Sequence, residues 1–158
     1  MICPPRKERA VEFTQLSARD AEKIKRLFVS VFTREPWKDD WSDEKQLDQY
    51  ILDLVGNPNS LTLAYAEGEE LIALAMGHIR HWYRGTEYYI DELCVKTEAQ
   101  SRGVGGRFLS QIEKYLAAHG VRAIFLLTDH DAPAYSFYLH NGFSPQELAA
   151  LAKTIEPA

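Results

Sequence analysis

The stretch Leu93-Cys94-Val95-Lys96-Thr97-Glu98-Ala99-Gln100-Ser101-Arg102-Gly103-Val104-Gly105-Gly106-Arg107 decides how this chain is read. An apolar strand ends at Val95, a short turn follows, and a glycine-bearing segment opens a helix predicted over 102–119. Phe108, Leu109, Ile112, Tyr115 and Leu116 recur on one face of that helix, and Gly120 caps its C-terminus. The junction has the properties of an anion site. The first N–H groups of a helix have no intrahelical acceptor, and the helix dipole favours negative charge there by about 0.3–2 kcal/mol. Gly103, Gly105 and Gly106 carry no Cβ, so a pyrophosphate can approach the main chain, and Arg102 and Arg107 add cationic donors. A P-loop is excluded because no Gly-Lys-Ser/Thr follows. A dinucleotide site would want an acidic residue near the end of the next strand, where Asp129 stands, but it also wants an early βαβ unit. A plain turn with no ligand is the third reading.

Upstream of the junction the pattern is mostly antiparallel. Val11 to Leu16 alternates apolar and polar, as a half-buried strand does. Ser17 then caps a helix with Ile24, Leu27, Phe28, Val31 and Phe32 at helical spacing, stopped by Pro36. A second helix is predicted from Ser42, with Leu47, Tyr50, Ile51, Leu54 and Val55 as its stripe and Gly56-Asn57-Pro58 as its end. Strands follow over 60–67 and 71–82, split by Gly68-Glu69-Glu70. Arg84-Gly85-Thr86 is the next turn and 87–95 the next strand. Downstream, Val121 to Thr128 reads as a strand buried on both faces, and Ala134 to Asn141 as a short helix ended by Gly142. Leu148 to Ile155 reads as an edge strand, with a helix as the alternative. The class is therefore α/β, a mixed sheet with mostly antiparallel N-terminal strands, one right-handed βαβ crossover and helices on both faces. With no repeat or linker, 8–158 is expected to be one domain and 1–7 a tail.

Two motifs in order resemble the GNAT superfamily of N-acetyltransferases. Gln100-Ser101-Arg102-Gly103-Val104-Gly105 is similar to its Q/R-x-x-G-x-G/A signature, preceded by the expected Leu-x-Val strand end. Ala134-Tyr135-Ser136-Phe137-Tyr138-Leu139-His140-Asn141-Gly142-Phe143 resembles its A-x-x-F-Y-x-x-x-G-F segment. The surroundings of Glu35-Pro36-Trp37 and Tyr89-Ile90-Asp91-Glu92-Leu93 are similar to the aminoglycoside 6′-N-acetyltransferase-like branch. The resemblance implies the acyl-CoA N-acyltransferase fold and acetyl-CoA as the acetyl donor. Its pantetheine arm would lie between the splayed fourth and fifth strands and pair with the backbone near Cys94 and Val95. The amides of Arg102, Gly103, Val104, Gly105, Gly106 and Arg107 would hold the pyrophosphate, with Gln100 and Ser101 in the same CoA-binding set. Asp131, where the family often has Asn, and Tyr135 complete the expected CoA set. Tyr138 would be the acid that protonates the leaving thiolate, since a phenol with reference pKa about 10 keeps its proton at neutral pH.

An amine nucleophile must first lose a proton. A lysine-like amine is mostly ammonium at pH 7, a deficit of about 4–5 kcal/mol in the reactive form. Glu92 is the preferred base and Asp91 its alternative. Strand alternation sends the two to opposite faces, so only one is expected to look into the cleft. The same alternation puts His78 and His81 on opposite faces and argues against a shared metal. His130, between Asp129 and Asp131, is either an aid to proton transfer or a solvated loop residue. Trp37 and Trp41 are expected either to wall the acceptor pocket or to pack onto the sheet. Between Glu35 and Asp53, Asp39, Asp40, Asp43, Glu44, Asp48 and Asp53 face only Lys38 and Lys45, which favours a cationic acceptor.

Bulk properties narrow the rest. A net charge of -5 argues against nonspecific nucleic-acid binding, which requires a basic face. No apolar run approaches the roughly 20 residues that span a bilayer. The start Met1-Ile2-Cys3-Pro4-Pro5 has no signal-peptide character, and Cys3 and Cys94 have no partner at metal-ligand spacing, so a cytoplasmic location is expected. The expected acceptor is a small-molecule amine, with a protein lysine as the second choice, and a homodimer is one assembly left open. Two further readings stand beside this one: a CoA-binding sensor without catalysis, and a dinucleotide-binding oxidoreductase.

Overall fold

The computed structural model describes residues 10–158; the expected 1–7 tail and Cys3 lie outside the described residues. These residues fall into two compact units, one reaching to Leu127 and the other spanning Thr128–Ala158.

The first unit holds a five-stranded sheet in sequence order. Strands β1 (Glu12–Leu16), β2 (Ser60–Glu67), β3 (Glu70–Trp82) and β4 (Gly85–Val95) pair antiparallel, and β5 (Ala123–Leu126) pairs parallel with β4. Helices α1 (Ala21–Phe32) and α2 (Glu44–Val55) join β1 to β2, and α3 (Val104–Ala118) joins β4 to β5. The predicted mixed α/β sheet is therefore the observed one. A doubly wound parallel sheet, which the oxidoreductase reading requires, is not.

Alternation along the strands builds two cores. Leu74, Met76 and Cys94 point to one face, where Ile24, Leu27, Phe28, Val31, Leu47 and Ile51 of α1 and α2 cover them. Ala73, Ala75, Tyr88 and Ile90 point to the other, under Phe108, Ile112 and Leu116 of α3. Each large apolar side chain so buried contributes about 1.5–3 kcal/mol. The Tyr88 hydroxyl, inside this second core, donates to the Leu61 carbonyl at 2.8 Å.

Element boundaries shifted wherever a cap or a left-handed residue intervened. Ser17 caps a 3₁₀ turn with Asp20 in a reciprocal box, and α1 starts only at Ala21. Asp43, not Ser42, caps α2 by accepting from the Gln46 N–H at 3.0 Å. α3 begins at Val104 rather than Arg102, because Ser101 and Gly103 have φ of 59° and 73°. The β3–β4 turn is Tyr83-Arg84, since Trp82 already pairs with Gly85. Two expectations fail outright. β5 is four residues long and not buried on both faces: among the described residues it is an edge strand with one neighbour, and Leu127 beyond it is 66% exposed. In the second unit, 148–155 forms no strand. Leu148, Leu151 and Ile155 are exposed and make no ladder. That unit's one helix is α4, Pro133–His140, with proline in its first turn where a missing N–H costs nothing.

β4 carries a bulge. Met76 pairs with Glu92 and Gly77 with Ile90, so Asp91 has no partner across the ladder. Gly77 is required there: a Cβ would sit 2.2 Å from the Tyr89 carbonyl oxygen and 2.8 Å from the Tyr88 ring. Gly77→Ala is therefore expected to lower stability by about 1–3 kcal/mol, read as a lower urea midpoint.

Candidate active site

The bulge changes which way two carboxylates point. Glu92, opposite Met76, lies on the α1/α2 face, and its Oε1 accepts a 2.5 Å hydrogen bond from the Tyr50 hydroxyl of α2. Strict alternation would turn Asp91 to the other face. Instead Asp91 Oδ2 lies 2.9 Å from Nδ1 of His78, which shares the Met76 face. The expectation that only one of the pair can look to this side is thus overturned, and the unpaired bulge residue is the reason.

Glu92 is mostly shielded from water, and its pKa is raised above the ordinary carboxylate value. Burial is the main cause, opposed by the Tyr50 hydrogen bond and reinforced by the charges of Asp39 and Asp91. The Tyr50 phenol is pushed up as well, first by burial and then by Glu92, so it stays a donor. Trp41 stacks on Tyr50 with centroids 5.0 Å apart, and Phe28 lies 5.9 Å from it. Trp37 packs on Phe32 at 5.8 Å. Both tryptophans are half-buried against the α1/α2 core, which is the packed-connection reading; the Trp41 Nε1–H is buried with no hydrogen-bond partner among the described residues. Beyond Asp91 the face continues as an aromatic row across three strands, with His78 stacked on Tyr89 at 5.2 Å and Tyr89 against Phe125 at 5.1 Å.

Most of the acidic segment has structural work. Asp43 caps α2, Asp48 pairs with Lys25 at 2.6 Å, Asp53 accepts from Gln49, and Asp40 accepts from the Ser42 N–H. Asp39 is the member whose charge reaches Glu92 and Tyr50.

β5 accompanies β4 only as far as Ile90. Over 91–95, the β4 edge facing away from β3 has no strand neighbour among the described residues. Cys94 is buried on the α1/α2 face, with its thiol pushed up by burial and by Glu92. The Val95 carbonyl accepts from Gln100 Nε2 at 2.9 Å, so Gln100 ties the loop to the strand end. Ser101 and Arg102 lead to Gly103, the left-handed N-cap of α3. No side chain caps this helix, so the amides of Val104, Gly105 and Gly106 keep their donor character outward. Arg107 Nη1 folds back to the Arg102 carbonyl at 3.1 Å and lies 3.0 Å from where a Gly103 Cβ would be. A cleft of about 300 Å³ lined by Phe13, Tyr65, Val104, Arg107 and Gln111 opens on the face away from Glu92.

In the C-terminal unit, Tyr138 is buried, with Phe137 and Phe143 rings each 5.3 Å from its own. His130 lies 5.0 Å from the Tyr135 ring, and Asp131 is exposed in the turn before α4. His78 and His81 do take separate partners, Asp91 and Thr86. Among the described residues no three of His, Cys, Asp and Glu could hold a metal. Among those residues, too, no helix is long and apolar enough to cross a membrane. Tyr50 was legible only as a member of the α2 stripe; its polar tip, four residues from an apolar neighbour, was the one available signal.

A mixed sheet that opens beside an uncapped, glycine-bearing helix start is the arrangement of the acyl-CoA N-acyltransferase fold. The chain belongs to the Acetyltransferase (GNAT) family, which matches residues 21–143. It is 35% identical over 57 residues to the "Uncharacterized N-acetyltransferase YhfO" of Bacillus subtilis (strain 168); the match covers 35% of this chain and 38% of that protein. Its fold is that of aminoglycoside acetyltransferase meta-AAC0020 from an uncultured soil metagenomic sample, solved in complex with sisomicin. The TM-score is 0.71 at 19% identity, over 92% of this chain and 97% of the other. AAC(6')-Iy, solved with the bisubstrate analog CoA-S-monomethyl-acetylneamine, gives a TM-score of 0.66 at 16% identity, over 92% and 99%.

Because burial holds the Glu92 pKa high, the folded state binds that proton more tightly than the unfolded chain. The carboxylate therefore costs stability, and the cost appears as pH rises above the ordinary carboxylate range. Glu92→Gln, which keeps an acceptor for Tyr50, is expected to raise the melting temperature at neutral pH. The gain should shrink toward zero as pH falls below about 4, measured by thermal melts across pH.

Proposed function

We propose that this protein is an acetyl-CoA-dependent N-acetyltransferase that acetylates a primary amine of a small cationic acceptor by direct attack in a ternary complex. The observation that carries this reading is the gathering of Asp91 and Glu92 on one face at the point where β4 loses its β5 neighbour. Acetyl-CoA supplies the electrophilic thioester carbonyl. The free β4 edge near Cys94 and Val95 would hold its extended arm, and the amides of Gly103 to Arg107 with Arg102 its pyrophosphate; the uncapped α3 start suits that charge. Asp131 and Tyr135 complete the proposed donor-binding set.

Glu92 takes the proton from the acceptor ammonium. Its raised pKa narrows the gap to the amine, as an efficient base requires. Asp91 and Asp39 add negative potential that draws a cation in. Trp37 and Trp41 would form the wall of the acceptor pocket. Tyr138 returns a proton to the departing thiolate. Aminoglycosides are the first acceptors to test, because two proteins of this fold, meta-AAC0020 and HMB0005, are aminoglycoside acetyltransferases, the first of them solved with sisomicin; a protein lysine comes second.

The reading is tested by thiol release from acetyl-CoA with cationic and neutral amines. Turnover of cationic amines, with kcat/KM falling as ionic strength rises, is expected. Binding of acetyl-CoA with no turnover across the panel would leave a CoA sensor instead. Tyr138→Phe is expected to lower kcat by about 10²–10⁴-fold with little change in acetyl-CoA affinity by calorimetry.

A further inference from the structure

We propose that Tyr50 is a positioning residue for acceptor deprotonation: its hydroxyl fixes the Glu92 carboxylate as the base, while His78 engages Asp91 and leaves that carboxylate a supporting charge. The inference rests on the reading that Glu92 accepts the acceptor's proton.

Four observations converge on it. The Tyr50–Glu92 bond is 2.5 Å long and joins residues 42 apart in sequence, from α2 to β4, so it exists only in the folded chain. The Tyr50 ring is clamped, stacked on Trp41 with an interplanar angle of 22° and flanked by Phe28. A clamped donor fixes the carboxylate plane, and Oε2, which no described residue bonds, remains for the incoming ammonium. Asp91 has its own partner in His78, whose ring is stacked on Tyr89.

The chemistry asks for this arrangement. A half-buried carboxylate next to two others tends to hold its proton, and a protonated acid cannot accept another. A neutral donor aimed at one oxygen stabilises the ionised form without placing a rival cation in the pocket. The groups that face Glu92 are Tyr50 from α2, Asp39 from the α1–α2 connection, and Asp91 and Cys94 from β4, with His78 from β3 behind Asp91. Of these, Tyr50 alone favours the Glu92 carboxylate, and Asp39 and Asp91 oppose it.

The two neighbours should therefore shift the base in opposite directions. The test follows the Glu92 side-chain carboxyl by ¹³C NMR in the full chain, and kcat/KM for a cationic amine against pH, in wild type, Tyr50→Phe, Asp91→Asn and Glu92→Gln. Phe keeps the ring and its stacking on Trp41, so Tyr50→Phe isolates the hydroxyl. It is expected to move the Glu92 titration and the acidic limb of kcat/KM upward together by about one pH unit, with a lower kcat and an unchanged KM for acetyl-CoA. Asp91→Asn is expected to move both downward and to keep the limb. A limb that disappears in Glu92→Gln yet stays in place in Tyr50→Phe would overturn the positioning role and leave Glu92 as the base. Loss of the limb in Asp91→Asn would also overturn it, since Asp91 would then be the base. Wild-type activity and an intact limb in Glu92→Gln would instead sink the reading beneath it.

Discussion

Where Met76 pairs with Glu92 and Gly77 with Ile90, β4 holds one residue more than β3 can match. The placement of Asp91 and Glu92 on one face follows from that surplus. With regular alternation, a carboxylate at 91 would face the α3 core, an apolar region with no partner for it. The bulge frees Asp91 from the ladder, and its side chain reaches His78 on the same face as Glu92. Gly77 makes the distortion possible, because the carbonyl of Tyr89 and the ring of Tyr88 occupy the space a side chain would need. The local cost is a disrupted ladder. The return is a concentration of negative charge on one side of the sheet, which a regular strand cannot produce from adjacent residues.

That concentration sets function against stability. Two carboxylates and Asp39 repel one another, and burial worsens the penalty for Glu92. The fold answers with a neutral phenol at one carboxylate and an imidazole at the other, each braced by aromatic stacking. Most of the acidic segment does not share this strain, because a cap, an ion pair and a hydrogen bond engage it: Asp43 at the start of α2, Asp48 on Lys25, Asp53 on Gln49. A charge count along the sequence therefore overstated the field at the site, and Asp39 is the member of the segment whose charge acts on Glu92.

The helix start at α3 works by different means. Its donors are main-chain groups, so the residue types matter mainly for what they omit: no capping side chain and no Cβ at Gly103, Gly105 or Gly106. Gln100 reaching back to Val95 couples the loop to the end of β4, so the strand edge and the helix start are held in one register. This is why the junction was readable from sequence. Glycine spacing after a strand end is local information, and the conformation it encodes is local too.

The sequence by itself determined the elements and their order. Helical periodicity in 21–32, 44–55 and 104–118 and alternation in the strands are one-dimensional records of which face is buried, and two spaced motifs were enough for the family. It misjudged 148–155, where apolar residues occur without a neighbouring strand to pair with, and β5, where an apolar run lies at a sheet edge. Strand pairing is a relation between distant segments, so no single segment announces it. Tertiary structure alone decided that Asp91 and Glu92 share a face, and that Tyr50 and His78 are the side chains that hold them. A bulge is defined by the partner strand, and a hydrogen bond across 42 residues by the packing of α2 on the sheet. Neither leaves a periodicity in the chain that carries it.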